Sequence, residues 1–210
     1  MPGRADGAGA AIVAAGCVTA VGYDLATACA SARAGIVRSA LAPDYRLAGA
    51  DGAAAGEPLT AHAAEVLTHG FEGRARLLRL ATAALQDLLR APELAAVRGP
   101  VGLYLSLPQR DPERGAVELD FGGAPSDVSA VERRFAHGFT AALLEHWTLA
   151  APAVLRFVTT AGHAGSARAL RRAMHDLASG AEPAWPAVVT KRSTAGAASV
   201  QCSSTAAVKP

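Results

Sequence analysis

The residues best placed for chemistry form one stretch, Thr159-Thr160-Ala161-Gly162-His163-Ala164-Gly165-Ser166. It joins an apolar run, Val154 to Thr159, to a segment with Leu170, Ala173, Met174 and Leu177 at helical spacing. The first turn of a helix presents backbone N–H groups without intrahelical partners. The helix dipole adds to them, so negative charge is stabilised there. A thiolate nucleophile suits such a point because its pKa is lowered. Here the turn offers His163 instead. The dipole opposes an imidazolium, which suits an acceptor or hydrogen-bond partner; the plainer role is a structural bond to backbone. Ser166 is the second candidate. It needs a neighbouring base, and the Gly-x-Ser-x-Gly elbow is absent, because Ala167-Arg168 follows Gly165-Ser166. Helix capping is its plainer role.

Other constellations are weaker. The loop Gly16-Cys17-Val18-Thr19-Ala20-Val21-Gly22 lies between an apolar run and a helical segment, the context of a dinucleotide site. The G-x-G-x-x-G spacing is missing, and no acidic residue closes a second strand about 20 residues on. Cys17 therefore reads as a packed small residue. His62 and His69 are seven apart, with no third ligand near them, and Glu145 and His146 are adjacent, so they point apart on a helix. No metal and no cofactor is expected. Arg168, Arg171 and Arg172 cluster on one helical segment and read as a solvated face.

The elements that must position the turn follow from hydrophobic periodicity. Ala11 to Ala15 reads as a strand. Asp24 can cap a helix with Leu25, Ala28, Cys29 and Ala32 on its apolar side, and Gly35 ends it. Residues 40–60 read as a surface loop. A long helix is predicted over 73–89, stopped by Pro92, followed by a buried strand over 101–107. Residues 109–125 read as a polar excursion. Ser129 and Glu132 form a capping-box pair for a helix running to about Trp147. A third strand over 154–159, a helix closed by Gly180 and a short strand over 187–190 complete the order. Strands alternate with helices, which favours a layered α/β sheet.

Composition sets the outer bounds. The chain has 210 residues, which fits one domain at about 150 residues per domain with some extra chain. Hydrophobic residues make up 51% but aromatics only 5%, so the core is built mostly from small side chains and its stability is modest. A formal charge of +2 gives no footprint for nucleic acid. The three cysteines, Cys17, Cys29 and Cys202, are too few and too irregular for a disulfide framework or a zinc knuckle, and fit a reducing compartment. No apolar run reaches the roughly 18 residues that span a bilayer. Met1 to Ala10 makes a poor secretory signal, so a cytoplasmic location is expected. Residues 1–10 are expected to be a flexible lead-in, 11–190 the folded domain and 191–210 a disordered tail.

Three stretches together resemble the N-terminal half of the β-ketoacyl synthases, in the thiolase-like superfamily. They are AIVAAGCVTAVGYDLATACASARAGI, then RLLRLATAALQDLL with PVGLYLSL, then TTAGHAGSARALRRAMHDLASGAE. The resemblance covers roughly residues 10–190. It implies an α/β fold, one thiolase-like half of βαβαβαββ type, with a mixed sheet flanked by helices. It also implies that the last stretch corresponds to the strand-turn-helix bearing the family's active-site cysteine. Placing Arg168-Ala169-Leu170 on that helix puts His163 at the cysteine position. The family's two catalytic histidines belong to its C-terminal half and have no counterpart here. The expectation is a condensing-enzyme half that stops or shifts near residue 190, structural or accessory, without independent condensing activity. Its partners would be a second copy or a complementary thiolase-like half, with an acyl thioester, on a carrier or on CoA, as the small-molecule class. Such a half alone would expose an apolar face. Two alternatives stand beside this: a residual acyltransferase using His163 or Ser166, and a small-molecule-binding domain of the Rossmann type.

Overall fold

The computed structural model describes residues 11–46, 58–108, 118–121, 130–161, 164–179, 184–188, 198–199 and 205–209. Nine strands and five α-helices lie among them. β1 (Ala11–Gly16) leads to α1 (Leu25–Arg33), β2 (Ala40–Arg46), β3 (Pro58–His62), the single turn α2 (Glu65–Thr68) and α3 (Gly73–Leu89). Then come β4 (Val101–Ser106), β5 (Glu118–Asp120), α4 (Ala130–Leu144), β6 (Ala153–Thr159) and α5 (Gly165–Ala178). The strands β7 (Ala184–Val188), β8 (Ala198–Ser199) and β9 (Thr205–Lys209) follow.

The main sheet has six strands in the order β1-β9-β7-β4-β6-β5. β6 and β7 run parallel to β4, while β9 is antiparallel to β1 and to β7, and β5 is antiparallel to β6. A sheet of this kind is mixed. With β5 and the small β2-β3-β8 sheet set aside, the chain reads strand, three helices, strand, helix, strand, helix, strand, strand. With α1, α2 and α3 taken as one helical connection, that is the βαβαβαββ order the resemblance implies.

Both faces of β4 are buried, as helices on both sides require. Val101, Leu103, Leu105 and Leu107 join Leu85, Leu88, Phe139 and Leu143 of α3 and α4 in the main core. The alternate residues meet α5: Tyr104 packs with Phe157, Ala169 and Ala173. Ala169 and Ala173, four apart on α5, let that helix lie close to the sheet. β1 lies equally close to α3. A Cβ on Gly16 would overlap the Ala84 carbonyl and the Leu88 backbone.

Several expectations change. Residues 40–60, read as a loop, contribute the antiparallel pair β2 and β3; the rest of that stretch lies outside the described residues. The polar excursion contributes β5, whose alternating Glu118, Leu119 and Asp120 were too few to register as a period. The last short strand begins at Ala184 rather than Ala187. Residues 205–209, inside the expected disordered tail, form β9 between β1 and β7. Its backbone pairs on both sides, so ordering does not depend on a run of large apolar side chains. Residues 198–199 of the same stretch form β8, paired with β3. The lead-in 1–10, the rest of the tail and Ser129 of the expected cap lie outside the described residues. Around β4 and β6 the described residues of the sheet pack against α3 and α4 on one side and α5 on the other. Large apolar side chains are exposed on the main sheet at Ile12 of β1 and Val154 of β6, and outside it at Ile36, Val37, Leu41 and Val66.

Candidate site at the β6–α5 turn

The turn sits where the carboxyl ends of parallel strands meet a helix N-terminus, the usual crevice for ligands in α/β sheets. Ser106 ends β4 and Thr159 ends β6; they are directly paired in register, and both are fully buried. Strand alternation turns both toward α5. The Leu107 N–H donates to the Thr159 carbonyl at 2.8 Å, which ties the two strand ends together. The Ala161 N–H donates to Thr159 Oγ1 at 3.2 Å, and the Ala164 N–H to the Ala161 carbonyl at 3.2 Å, so the chain turns sharply into α5. Its N-cap residue, Ala164, supplies no side-chain cap. Gly165 is buried against Ser106: a Cβ there would overlap Ser106 Oγ. That hydroxyl has no hydrogen-bond partner among the described residues.

Of the two residues singled out from the sequence, Ser166 lies half-buried in the first turn of α5. His163 lies outside the described residues. Ser166 is not hydrogen-bonded to any histidine among the described residues. His62 is on β3, with Nδ1 at 2.9 Å from the Arg38 carbonyl, and His69 caps α2. These two therefore share no helix face. His137 stacks edge-on against Phe121, and His175 lies beside Asp176 nine residues further along α5. Sequence reasoning missed Ser106 altogether. The available signal was a lone serine in a strand otherwise made of glycine, aliphatic and aromatic residues and buried on both faces.

The α5 arginines are not simply a solvated face. Arg168 reaches Glu118 at 2.6 Å, and Arg172 reaches Asp120 at 2.7 Å and Asp176 at 2.9 Å. The Tyr104 hydroxyl donates to Asp176 at 2.6 Å from inside the sheet. Burial pushes the Tyr104 phenol above its ordinary range, and the Asp176 bond and charge push it further. Burial alone would raise the Asp176 carboxyl. The Tyr104 hydrogen bond and the Arg172 charge outweigh it, and the carboxyl ends below the usual range.

The β1–α1 loop is closed to phosphate by its own aspartate. Asp87, on α3, accepts the N–H of Cys17 at 3.0 Å and of Leu25 at 2.8 Å through one carboxylate oxygen. Leu25 is the first residue of α1, so a carboxylate already occupies the position a dinucleotide phosphate would need. The Rossmann-type alternative loses its site. Cys17 is buried as expected, at 3% exposure. It is, however, disulfide-bonded, against the expectation drawn from cysteine count, while Cys29 is free. An open groove of about 520 Å³ lies beside Asp24, Cys29, Arg33 and Arg90, away from the β6–α5 turn. No group of acids, histidines and cysteines among the described residues has the makings of a metal site. No helix among them is long and apolar enough to cross a membrane.

No family model matches the sequence, and no curated protein matches it. A solved chain described as the ishigamide ketosynthase/chain length factor does match, with a TM-score of 0.53 and 18% identity. The match covers 96% of this chain and 62% of that one, so this chain spans less than two thirds of its neighbour's length. At that identity the likeness shows the fold alone: this chain shares the mixed α/β fold of that ketosynthase/chain length factor chain.

Proposed function

We propose that the chain is a ketosynthase-like subunit without condensing activity of its own, acting as a structural or accessory partner of a complementary thiolase-like chain. One observation carries this reading. The resemblance reads the turn between β6 and α5 as the place of the ketosynthase nucleophile, and residues 159–166 contain no cysteine. The sequence's cysteines are at 17, 29 and 202. Condensation needs a nucleophile at this turn and a base that takes and returns a proton. The hydroxyl of Ser166 has no histidine hydrogen-bonded to it among the described residues. An acyl-imidazole on His163 would hydrolyse rather than pass its acyl group to carbon. The neighbour's description names a ketosynthase together with a chain length factor. This chain is read as playing the part that lacks the thiol.

The test is intact-mass spectrometry after incubation with acetyl-CoA. The expected result is no covalent acyl adduct on the purified chain. A stoichiometric adduct mapped to residues 160–167 would sink this reading and establish the residual acyltransferase in its place.

A further inference from the structure

We propose that the turn after α1 is a membrane-docking tip: Ile36 and Val37 enter the interface of an anionic phospholipid bilayer, and Arg33 and Arg38 hold its headgroups. The inference does not rest on the ketosynthase-like reading. Every residue from Ala32 to Leu41 is exposed, and a Cβ added at Gly35 would meet nothing within 4 Å. The apolar side chains there are large and bare: Ile36 is 54% exposed, Val37 71% and Leu41 66%. Exposed apolar residues scattered singly need no explanation, but these three lie within one short stretch of chain.

The tip is held in shape from both ends. Gly35 takes a φ of 67°, its N–H donates to the Ala32 carbonyl at 3.1 Å, and the Ile36 N–H donates to the Ser31 carbonyl at 2.9 Å. These two bonds close the end of α1 in the pattern a left-handed glycine permits. On the far side His62 Nδ1 lies 2.9 Å from the Arg38 carbonyl, and β2 pairs with β3 from Ala40 onward. Little conformational freedom is therefore lost on docking. The charge fits an anionic surface. No acidic residue lies between Asp24 and Asp44 in the sequence, and Arg33 and Arg38 make no ion pair among the described residues. Near anionic lipid each basic side chain adds attraction that falls off within a Debye length. Long Arg stems keep their charge at headgroup level while apolar neighbours go deeper. A projecting apolar tip favours lipid over protein: a protein needs a shaped hollow to receive it, whereas a bilayer interface yields to it. So few side chains give a marginal, reversible attachment, comparable to that of a single acyl anchor.

The experiment uses the full chain and extruded vesicles, either phosphatidylcholine alone or phosphatidylcholine with phosphatidylglycerol as a third of the lipid. Co-sedimentation gives the bound fraction. Wild type should bind the mixed vesicles at low salt and lose most of that binding in ~1 M sodium chloride, where the Debye length is about 3 Å. Arg33→Gln/Arg38→Gln should weaken binding to the mixed vesicles roughly thirtyfold, and phosphatidylcholine alone should bind wild type weakly to a similar degree. Ile36→Ser/Val37→Ser should weaken it by roughly tenfold. All four side chains are exposed, so melting temperatures should stay at the wild-type value; where one falls, the wild-type arms decide alone. No binding of wild type to the mixed vesicles overturns the proposal and leaves an acidic protein surface as the partner of the tip. Equal binding to both vesicle types, or binding that survives Arg33→Gln/Arg38→Gln, overturns it as well. Salt-sensitive binding unchanged by Ile36→Ser/Val37→Ser means adsorption without insertion, and the tip is then not the docking element.

Discussion

Ser106 and Gly165 share one space where β4 ends and α5 begins. The hydroxyl of Ser106 is fully buried and has no partner among the described residues, so within them it carries a desolvation cost with no compensating bond. Ser106→Ala should leave thermal stability unchanged or raise it by about 1 kcal/mol. Gly165→Ala should lower it by about 1–3 kcal/mol, since the new methyl meets Ser106 Oγ. Combined, the two should cost less than their sum, because the first makes room for the second. Strict additivity in a double-mutant cycle would contradict the shared-space account. Tyr104 gives a pH signature on the same face. Its neutral form is favoured in the fold, so its contribution is fully present below the ordinary phenol value of about 10. That contribution is lost as pH rises through the raised folded value. Tyr104→Phe should cost about 1–3 kcal/mol at neutral pH, by leaving Asp176 without its donor, and the gap to wild type should narrow above pH ~10. Asp176 acts at the other limb. Its lowered pKa gives stability present above the ordinary carboxyl value of about 4 and lost as pH falls through the folded value. A parallel offset between wild type and Tyr104→Phe across the alkaline range, in melting temperature against pH, would count against the assignment.

At the scale of elements, what the sequence revealed depended on how many residues repeat a pattern. α3 was legible over its whole length because Leu77, Ala81, Ala84 and Leu88 recur on one side. α1 was legible from its ends: Asp24 accepts the Thr27 N–H at 2.7 Å, and Gly35 takes a φ of 67° just past the helix. β5 was not legible, because its period is a single alternation, and β9 was not, because two flanking strands order it. The candidate turn was found from its neighbours, a strand and an amphipathic helix. Ser106 was not, because its meaning depends on α5 crossing it from 59 residues later in the chain. Asp87 is the same case. It sits between apolar positions on α3, 12% exposed, and its role appears only when β1 and α1 dock. Asp87→Ala would strand two backbone donors and should cost about 2–5 kcal/mol in urea unfolding, with Asp87→Asn milder because an acceptor oxygen remains. Equal losses for the two variants would show that charge, not acceptance of these two N–H groups, is what Asp87 supplies.

Across the whole molecule the two faces of the main sheet are unequal. The face under α3 and α4 holds Leu85, Leu88, Leu103, Leu105, Leu107, Phe139 and Leu143, all buried. Among the residues whose burial is described, the face under α5 holds Tyr104, Phe157, Ala169 and Ala173, with Leu177 beside them. Apolar burial scales with side-chain area at roughly 25 cal/mol per Å², so over these residues α5 gains less from packing than α3 does. The Tyr104–Asp176 bond and the Arg168 and Arg172 ion pairs supply part of the difference, and those pairs are partly exposed and screened by salt. α5 also carries the first turn of the candidate site. Elements that serve binding are drawn from the less stable parts of a fold, and the imbalance here has that sense. Hydrogen exchange should therefore resolve two classes. The amides of β4 and α3 should open only with global unfolding. Those of α5 should open by a smaller, salt-sensitive step. Phe139→Ala should lower global stability by about 3–5 kcal/mol and carry both classes down together. Ala173→Gly should cost about 1 kcal/mol and act on the α5 class while the β4 class is little changed. A single exchange class across β4, α3 and α5, moving as one in both variants, would mean that the two faces fold as one unit and that α5 has no separate opening.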